Sequence, residues 1–163
     1  FDIVVSGINR GANVGNVSHL SGTVGAAMEG LYHGLPAIAV SEDPNSENTA
    51  ITAKFTADLV DRYRRLGAPS GTMISINVPA GELKGVAVRP MGDSYLSTAR
   101  YDPSVRDSMT TDYESVRMIV NSEDPTTDTY AYQQGYISVT PHKFDWTDFE
   151  MLDEVESWNL QID

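Results

Sequence analysis

At 163 residues, with 40% of them in the hydrophobic set, the chain has the size and apolar content of one globular domain with a real core. A net charge of -12, from 23 acidic against 11 basic residues, repels phosphate backbones and excludes long nucleic acid as a natural partner. With no cysteine, disulfides, thiolate zinc sites and a cysteine nucleophile are excluded, which leaves oxygen and nitrogen groups for any chemistry.

The apolar runs fall short of the roughly 20 residues that span a bilayer, and no charged-then-apolar leader opens the chain, so no membrane partner and a cytoplasmic location are expected. Lysine is confined to Lys54, Lys84 and Lys143, a usage that points to a salt-rich cytoplasm.

Phe1 to Val5 is an apolar, β-branched run closed by Ser6-Gly7 and reads as a buried strand. A start inside such a strand, without methionine, leads to the expectation that preceding residues belong to the same fold. A polar loop rich in glycine and asparagine follows (Gly7, Asn9, Gly11, Asn13, Gly15, Asn16), and Ser21-Gly22-Thr23 opens a small-residue helix from Val24 to Leu31. Gly34-Leu35-Pro36 ends it, and Ala37 to Val40 is a second buried strand at a spacing that suits a parallel crossover. Ser46 to Asn48 supply caps for a helix whose apolar face is Ile51, Phe55, Leu59, Tyr63 and Leu66, stopped by Gly67. Met73 to Val78 is a third strand. The order β-α-β-α-β predicts an α/β fold with a Rossmann-like doubly wound sheet.

Val86 to Val88 reads as a further short strand, and residues 93–127 then form a polar, aspartate-rich excursion without helical periodicity. It is too long for an ordinary loop, so it pairs as hairpins or packs on another subunit as an assembly arm. Tyr136 to Thr140 is a last strand, stopped by Pro141; Thr147 and Glu150 have capping-box spacing, and Phe149, Leu152 and Val155 mark one face of a final helix. The whole of residues 1–163 reads as a single α/β domain with a C-terminal β-rich arm.

Ligands of open α/β sheets sit beyond the carboxyl ends of the strands, where the loop from Ser6 to Ser21 lies. Glycines there, Gly7 among them, let the backbone approach a ligand, and Ser21, Gly22 and Thr23 present backbone N–H groups at a positive helix end. That chemistry suits phosphate. The G-x-G-x-x-G fingerprint and the Walker lysine loop are both missing, so neither NAD nor ATP of the usual kinds is supported. The competing reading is that any α/β protein has such residues in its turns, with Asn9 capping one of them. Asn9 could equally offer a carbonyl oxygen to a hard cation such as Mg or Mn, and spacing does not decide.

His19, His33 and His142 are too scattered for a metal triad; only His19 lies in the loop, and His33 reads as a helix C-terminal contact. The aspartates from Asp102 to Asp128 lack an EF-hand pattern and read as a solvated acidic surface. Tyr130, Tyr132 and Tyr136 read as packing rather than as platforms for a base.

The ordered segments Phe1 to Asn9, Gly11 to Asn13, Ser21 to Gly30 and Gly34 to Ser41 resemble the central block of the SurE survival-protein family. Ile76 to Pro79, Lys84 to Val86, Thr127-Asp128 and Gly135 to Pro141 resemble its later segments, so the resemblance covers nearly the whole chain. It implies a Rossmann-like nucleotidase that removes phosphate from nucleoside 5'- and 3'-monophosphates with a divalent cation, Mg or Mn, as a homodimer or homotetramer. In such proteins an Asp-Asp pair, a serine and the asparagine of a Ser-Gly-Ile-Asn motif hold the metal; that asparagine corresponds to Asn9. The Asp-Asp-Gly motif and the serine have no counterpart here, so the catalytic carboxylates are expected upstream of Phe1. Gly7, Asn13, Ser21, Gly22 and Thr23 are the residues expected at the phosphate. Gly15-Asn16-Val17 and Gln134 depart from the family pattern, which has Gly-Asp-Asp and an acid there. The alternative is a catalytically incomplete module that binds nucleotide or a partner subunit without turnover.

Overall fold

The computed structural model describes residues 1–162. Five strands form one sheet in the order β1 (Val4–Arg10), β2 (Ala37–Glu42), β3 (Met73–Val78), β7 (Ile137–His142), β4 (Val86–Val88). β1, β2 and β3 are parallel, while β7 runs antiparallel to β3 and parallel to β4. The sheet is therefore mixed at its β7-β4 side.

Two helices cover opposite faces, as a doubly wound sheet requires. β2 is buried along its whole length, and its alternation divides the core. Ala37 and Ala39 join Met73 under α1 (Gly22–Tyr32), which contributes Val24, Ala27 and Leu31. Ile38 and Val40 join Ile76, Val78 and Ile137 under Phe55, Leu59, Val60 and Tyr63 of α2 (Thr49–Leu66). Each fully buried aliphatic side chain of this kind contributes about 1.5–3 kcal/mol. Because β1, β2 and β3 step across the sheet in one direction while α1 and α2 take opposite faces, the two crossovers have opposite hand. One of them departs from the right-handed rule that parallel crossovers nearly always obey.

Several boundaries differ from the sequence reading. β1 continues past Val5 to Arg10, with a register shift between Ser6 and Asn9, so Asn9 belongs to the strand rather than to the loop after it. On α2, Ile51 and Leu66 are 49% and 66% exposed. The buried side includes Thr52 and Thr56 instead, whose hydroxyls are satisfied by Glu42 Oε2 (3.1 Å) and the Thr52 carbonyl (2.8 Å). β7 runs through Pro141, the expected stop, to His142.

The excursion at residues 93–127 pairs with itself, as one of the two expected outcomes. β5 (Leu96–Val105) and β6 (Thr111–Ile119) form an antiparallel hairpin with a bulge between Thr98 and Arg100. A short helix not anticipated from sequence, α3 (Asp128–Gln133), follows under a Thr127 cap that accepts from the Tyr130 N–H at 3.3 Å. The final helix, α4, spans only Leu152–Ser157, so the Thr147/Glu150 capping box is not used. Asp148 Oδ1 instead accepts from the backbone N–H groups of Glu150 and Met151, both at 3.2 Å, and Phe149, Leu152 and Val155 are exposed. No helix among the described residues is long and apolar enough to cross a membrane.

Candidate functional site

The parallel strands end together at Arg10, Glu42 and Val78, and the Gly11–Ser21 loop, which winds into a short 3-10 helix over Gly15–Leu20, folds over that edge on the α1 side. Its anchor is a buried polar network on the sheet face that β3 presents through Ser75 and Asn77. The Asn13 backbone N–H donates to Asn77 Oδ1 at 2.7 Å, Asn13 Nδ2 donates to Ser41 Oγ at 2.7 Å, and Ser18 Oγ donates to the Asn13 carbonyl at 2.7 Å. Asn77 Nδ2 in turn reaches Ser75 Oγ at 3.3 Å. Buried polar groups satisfied this fully fix one loop conformation, since displacing the loop would strand each of them.

Two of the sequence candidates meet on one residue. Asn9 is the strand partner of Ser41, and Asn13 bonds its hydroxyl, so the two carboxamides flank Ser41 at the carboxyl edge of β2. Asn9 is half-buried and its Nδ2 donates to the Gly11 carbonyl at 2.7 Å, which orients the carboxamide and leaves Oδ1 as its acceptor for a ligand. Asn13 is only 7% exposed. Its Nδ2 is engaged by Ser41, and its Oδ1 has no hydrogen-bond partner among the described residues.

Ser21 caps α1: its Oγ accepts from the Val24 N–H at 3.2 Å. Gly22 and Thr23 are the first helical residues, and their N–H groups have no intrahelical acceptor. The first turn of α1 is thus an anion-receptive end with its hydroxyl already engaged. Gly7 has a packing reason for being glycine. It lies in the β1 irregularity at φ +131°, where a Cβ would collide with the Val40 carbonyl.

Gly15-Asn16-Val17 is used structurally. The Gly15 N–H donates to both oxygens of Asp128 (3.1 and 3.2 Å), Asn16 Nδ2 donates to Ser94 Oγ at 2.8 Å, and Val17 packs against the cluster of Ala12, Val14, Tyr95 and Tyr132. Gln134 is an exposed C-cap of α3 and is not part of this loop network. Tyr132 packs edge-on to Tyr95 at 5.7 Å and donates to Asp43 Oδ2 at 3.0 Å, and burial pushes its phenol well above the ordinary value. Tyr130 belongs to α3 and the exposed Tyr136 immediately precedes β7.

The histidines separate. His33 contacts Glu29 at 3.2 Å on the exposed end of α1. His19 leaves the strand-end site and packs at a tilt against Trp146, ring centroids 5.1 Å apart, lining with His142 a cleft of about 530 Å³ beside α1. Among the described residues, no three of His, Asp and Glu converge as metal ligands. Asn9 alone gives one neutral oxygen, and a divalent ion such as Mg or Mn needs carboxylates to offset its dehydration. The residues present do not make a complete cation site.

Ser41 and Asn77 are parts of this network that the sequence left unassigned, and Asp128, expected on a solvated acidic surface, is instead 1% exposed because backbone N–H groups and threonine hydroxyls surround its carboxylate. The available signal was a polar residue inside an otherwise apolar strand run, as at Ser41 and Asn77.

A family profile described as Survival protein SurE matches residues 1–98. A protein named 5'-nucleotidase SurE from Thermoanaerobacter sp. (strain X514) is 36% identical over 169 residues, covering 99% of this chain and 66% of its own length. Its namesake from Symbiobacterium thermophilum is 38% identical over 168 residues, covering 98% and 64%. The crystal structure of SurE protein from Aquifex aeolicus superposes with a TM-score of 0.76 at 31% identity, covering 98% of this chain and 66% of that one. The chain thus spans just under two thirds of the length of the relatives it matches. With the profile matching more than half of its residues and the strand and loop arrangement shared with a solved member, the chain belongs to the SurE family.

Proposed function

We propose that this chain is the larger part of a phosphomonoesterase that releases phosphate from nucleoside 5'- and 3'-monophosphates. The observation that carries this reading is the pairing of Asn9 and Asn13 around Ser41 at the carboxyl ends of the parallel strands, in a chain whose relatives are named 5'-nucleotidases. Asn13 Oδ1, the Ser21 cap and the N–H groups of Gly22 and Thr23, with Gly7 behind them in β1, form the phosphate side of the site. Preorganised N–H groups at a helix end stabilise charge on phosphoryl oxygens without needing to reorient.

A divalent cation, Mg or Mn, belongs to this reading, and Asn9 Oδ1 is the oxygen this chain would give it. The ion's carboxylate ligands, and the catalytic residues with them, are placed outside residues 1–163. The protein is read as cytoplasmic and as a homodimer or homotetramer, with the 93–127 excursion as an assembly arm.

One observation favours a second reading. The described residues bring no carboxylate cluster to the strand ends, which is what a module that binds nucleoside monophosphate without turnover would look like. Phosphate release from 5'-AMP and 3'-AMP with Mg or Mn, measured on residues 1–163 and on the full-length protein, separates the two. The enzyme reading expects turnover by the full-length protein and little by residues 1–163. Binding of AMP by the full-length protein without phosphate release would establish the module instead.

A further inference from the structure

Asp128 is 1% exposed, and among the described residues its carboxylate has no lysine or arginine partner. It accepts from the Gly15 N–H (3.1 and 3.2 Å), the Gly92 N–H (2.8 Å), Thr129 Oγ1 (3.3 Å) and Thr140 Oγ1 (3.5 Å). A buried carboxylate is costly unless donors surround it; here the Gly15 and Gly92 N–H groups can only donate, and the two threonine hydroxyls can turn their hydrogens toward it. In either orientation an amide here would set its NH2 group 3.1 or 3.2 Å from the Gly15 nitrogen, which weakens the hold on that N–H.

The donors come from four separate places: the site loop, the loop after β4, α3 and β7. Gly15 stands at the middle of the Gly11–Ser21 loop, with Asn13 on one side and the α1 cap on the other. Its N–H is held by Asp128, and the approach to the Asp93 carbonyl is close enough that only glycine fits, since a Cβ there would collide with that carbonyl. The bond from Ser18 Oγ to the Asn13 carbonyl closes the segment across Gly15, and that from the Ser21 N–H to the Ser18 carbonyl at 3.4 Å carries it on to the α1 cap. A displacement at Gly15 therefore passes directly to Asn13 and to Ser21.

We propose that Asp128 is a positioning residue for phosphate binding: it fixes the loop through Gly15, and so sets where Asn13 Oδ1 and the first N–H groups of α1 stand relative to Asn9. It touches no substrate. The inference rests on the reading of this loop as the phosphate side of the site.

The test uses the full-length protein and its Asp128→Asn and Thr129→Val variants; the second removes one donor to Asp128 almost isosterically and guards against a first that does not fold. In Asp128→Asn, KM for AMP and the inhibition constant of inorganic phosphate rise together by about 10-fold or more, with kcat changed less, and in Thr129→Val they rise a few-fold. Amide exchange in residues 12–20 accelerates in both variants while residues 37–42 and 73–78 keep their protection, a pattern that general destabilisation does not give. Unchanged KM and phosphate inhibition in whichever variants fold overturn the proposal. If the wild-type protein releases no phosphate from AMP, the nucleotidase reading falls, and the exchange pattern alone then decides whether Asp128 positions the loop.

Discussion

Asn13 donates from its carboxamide to the Ser41 hydroxyl across 2.7 Å, inside the molecule, while the backbone of Ser41 pairs with Asn9 on the neighbouring strand. One residue therefore meets both candidates, Asn13 through its hydroxyl and Asn9 through the strand pairing. Ser41→Ala leaves the buried Asn13 donor without a partner and is expected to cost about 1–3 kcal/mol, read as a lower denaturant midpoint at constant slope. A midpoint equal to wild type would mean that Asn13 Nδ2 finds another acceptor.

Asn9 is tested by turnover rather than by stability. In the full-length protein, Asn9→Ala is expected to lower phosphate release from AMP by about 10- to 100-fold, as the loss of an oriented oxygen at a charged centre would. Substitutions of Ser21 or Thr23 act more mildly, because the N–H groups of the first turn of α1 remain. An Asn9→Ala enzyme with wild-type rates removes Asn9 from the site.

Two glycines of α1 make a matched pair with opposite expected signs. Gly25 faces open space, so Gly25→Ala gains about 0.5–1 kcal/mol from helix propensity. At Gly30 a Cβ would lie 2.6 Å from Val4 Cγ2, so Gly30→Ala overpacks the α1–β1 contact and costs about 1–3 kcal/mol. Thermal melts of the two variants should move in opposite directions from wild type.

Burial lowers the pKa of His142 below the ordinary 6.5; Asp128 opposes the shift and His19 adds to it, and its Nε2 has no hydrogen-bond partner among the described residues. The unfolded chain thus takes up the proton first as pH falls. The stability contribution is full above 6.5 and declines between 6.5 and the lower folded-state value. Melting temperatures between pH 7.5 and 5 should fall less steeply in His142→Asn than in wild type. Parallel profiles would show that the acid sensitivity resides elsewhere.

The hairpin exposes Tyr101, Val105, Met109, Tyr113 and Met118, and the C-terminal segment exposes Phe149, Leu152 and Trp158. Surfaces of that apolar content, on elements that add nothing to the main core, are expected to be covered in a dimer or larger assembly. Light scattering on the full-length protein checks this, and a monomeric mass at working concentration rules it out.

The sheet was legible because Ile38, Val40, Ile74 and Ile76 lie in continuous apolar runs with turn residues around them. The covering face of α2 was legible only in part, because Thr52 and Thr56 are buried through their hydroxyl bonds and carry no apolar signal. α3 has six residues, too few to show a helical period, and its place is set by Thr127 and Asp128. At the site, Asn9 and Asn13 were legible as polar groups at a strand end. The direction of the Asn13 hydrogens was not, because an asparagine reads the same whether it bonds a ligand or Ser41. Asp128 looked like one acid among many in a polar stretch; only the convergence of segments far apart in sequence marks it.

The two ends of the hairpin excursion close on each other, with the Val120 N–H bonded to the Tyr95 carbonyl at 2.9 Å. Topologically the 24 residues from Leu96 to Ile119 are an insertion with its own stem, and the sheet body meets the same pair of stem residues however long the inserted ribbon is. Beyond Leu96, which packs with Val17 on the cluster of Val14, Tyr95 and Tyr132, lengthening, shortening or re-surfacing that ribbon changes what the molecule can meet while leaving Gly92, Asp128 and the Gly15 loop where they are.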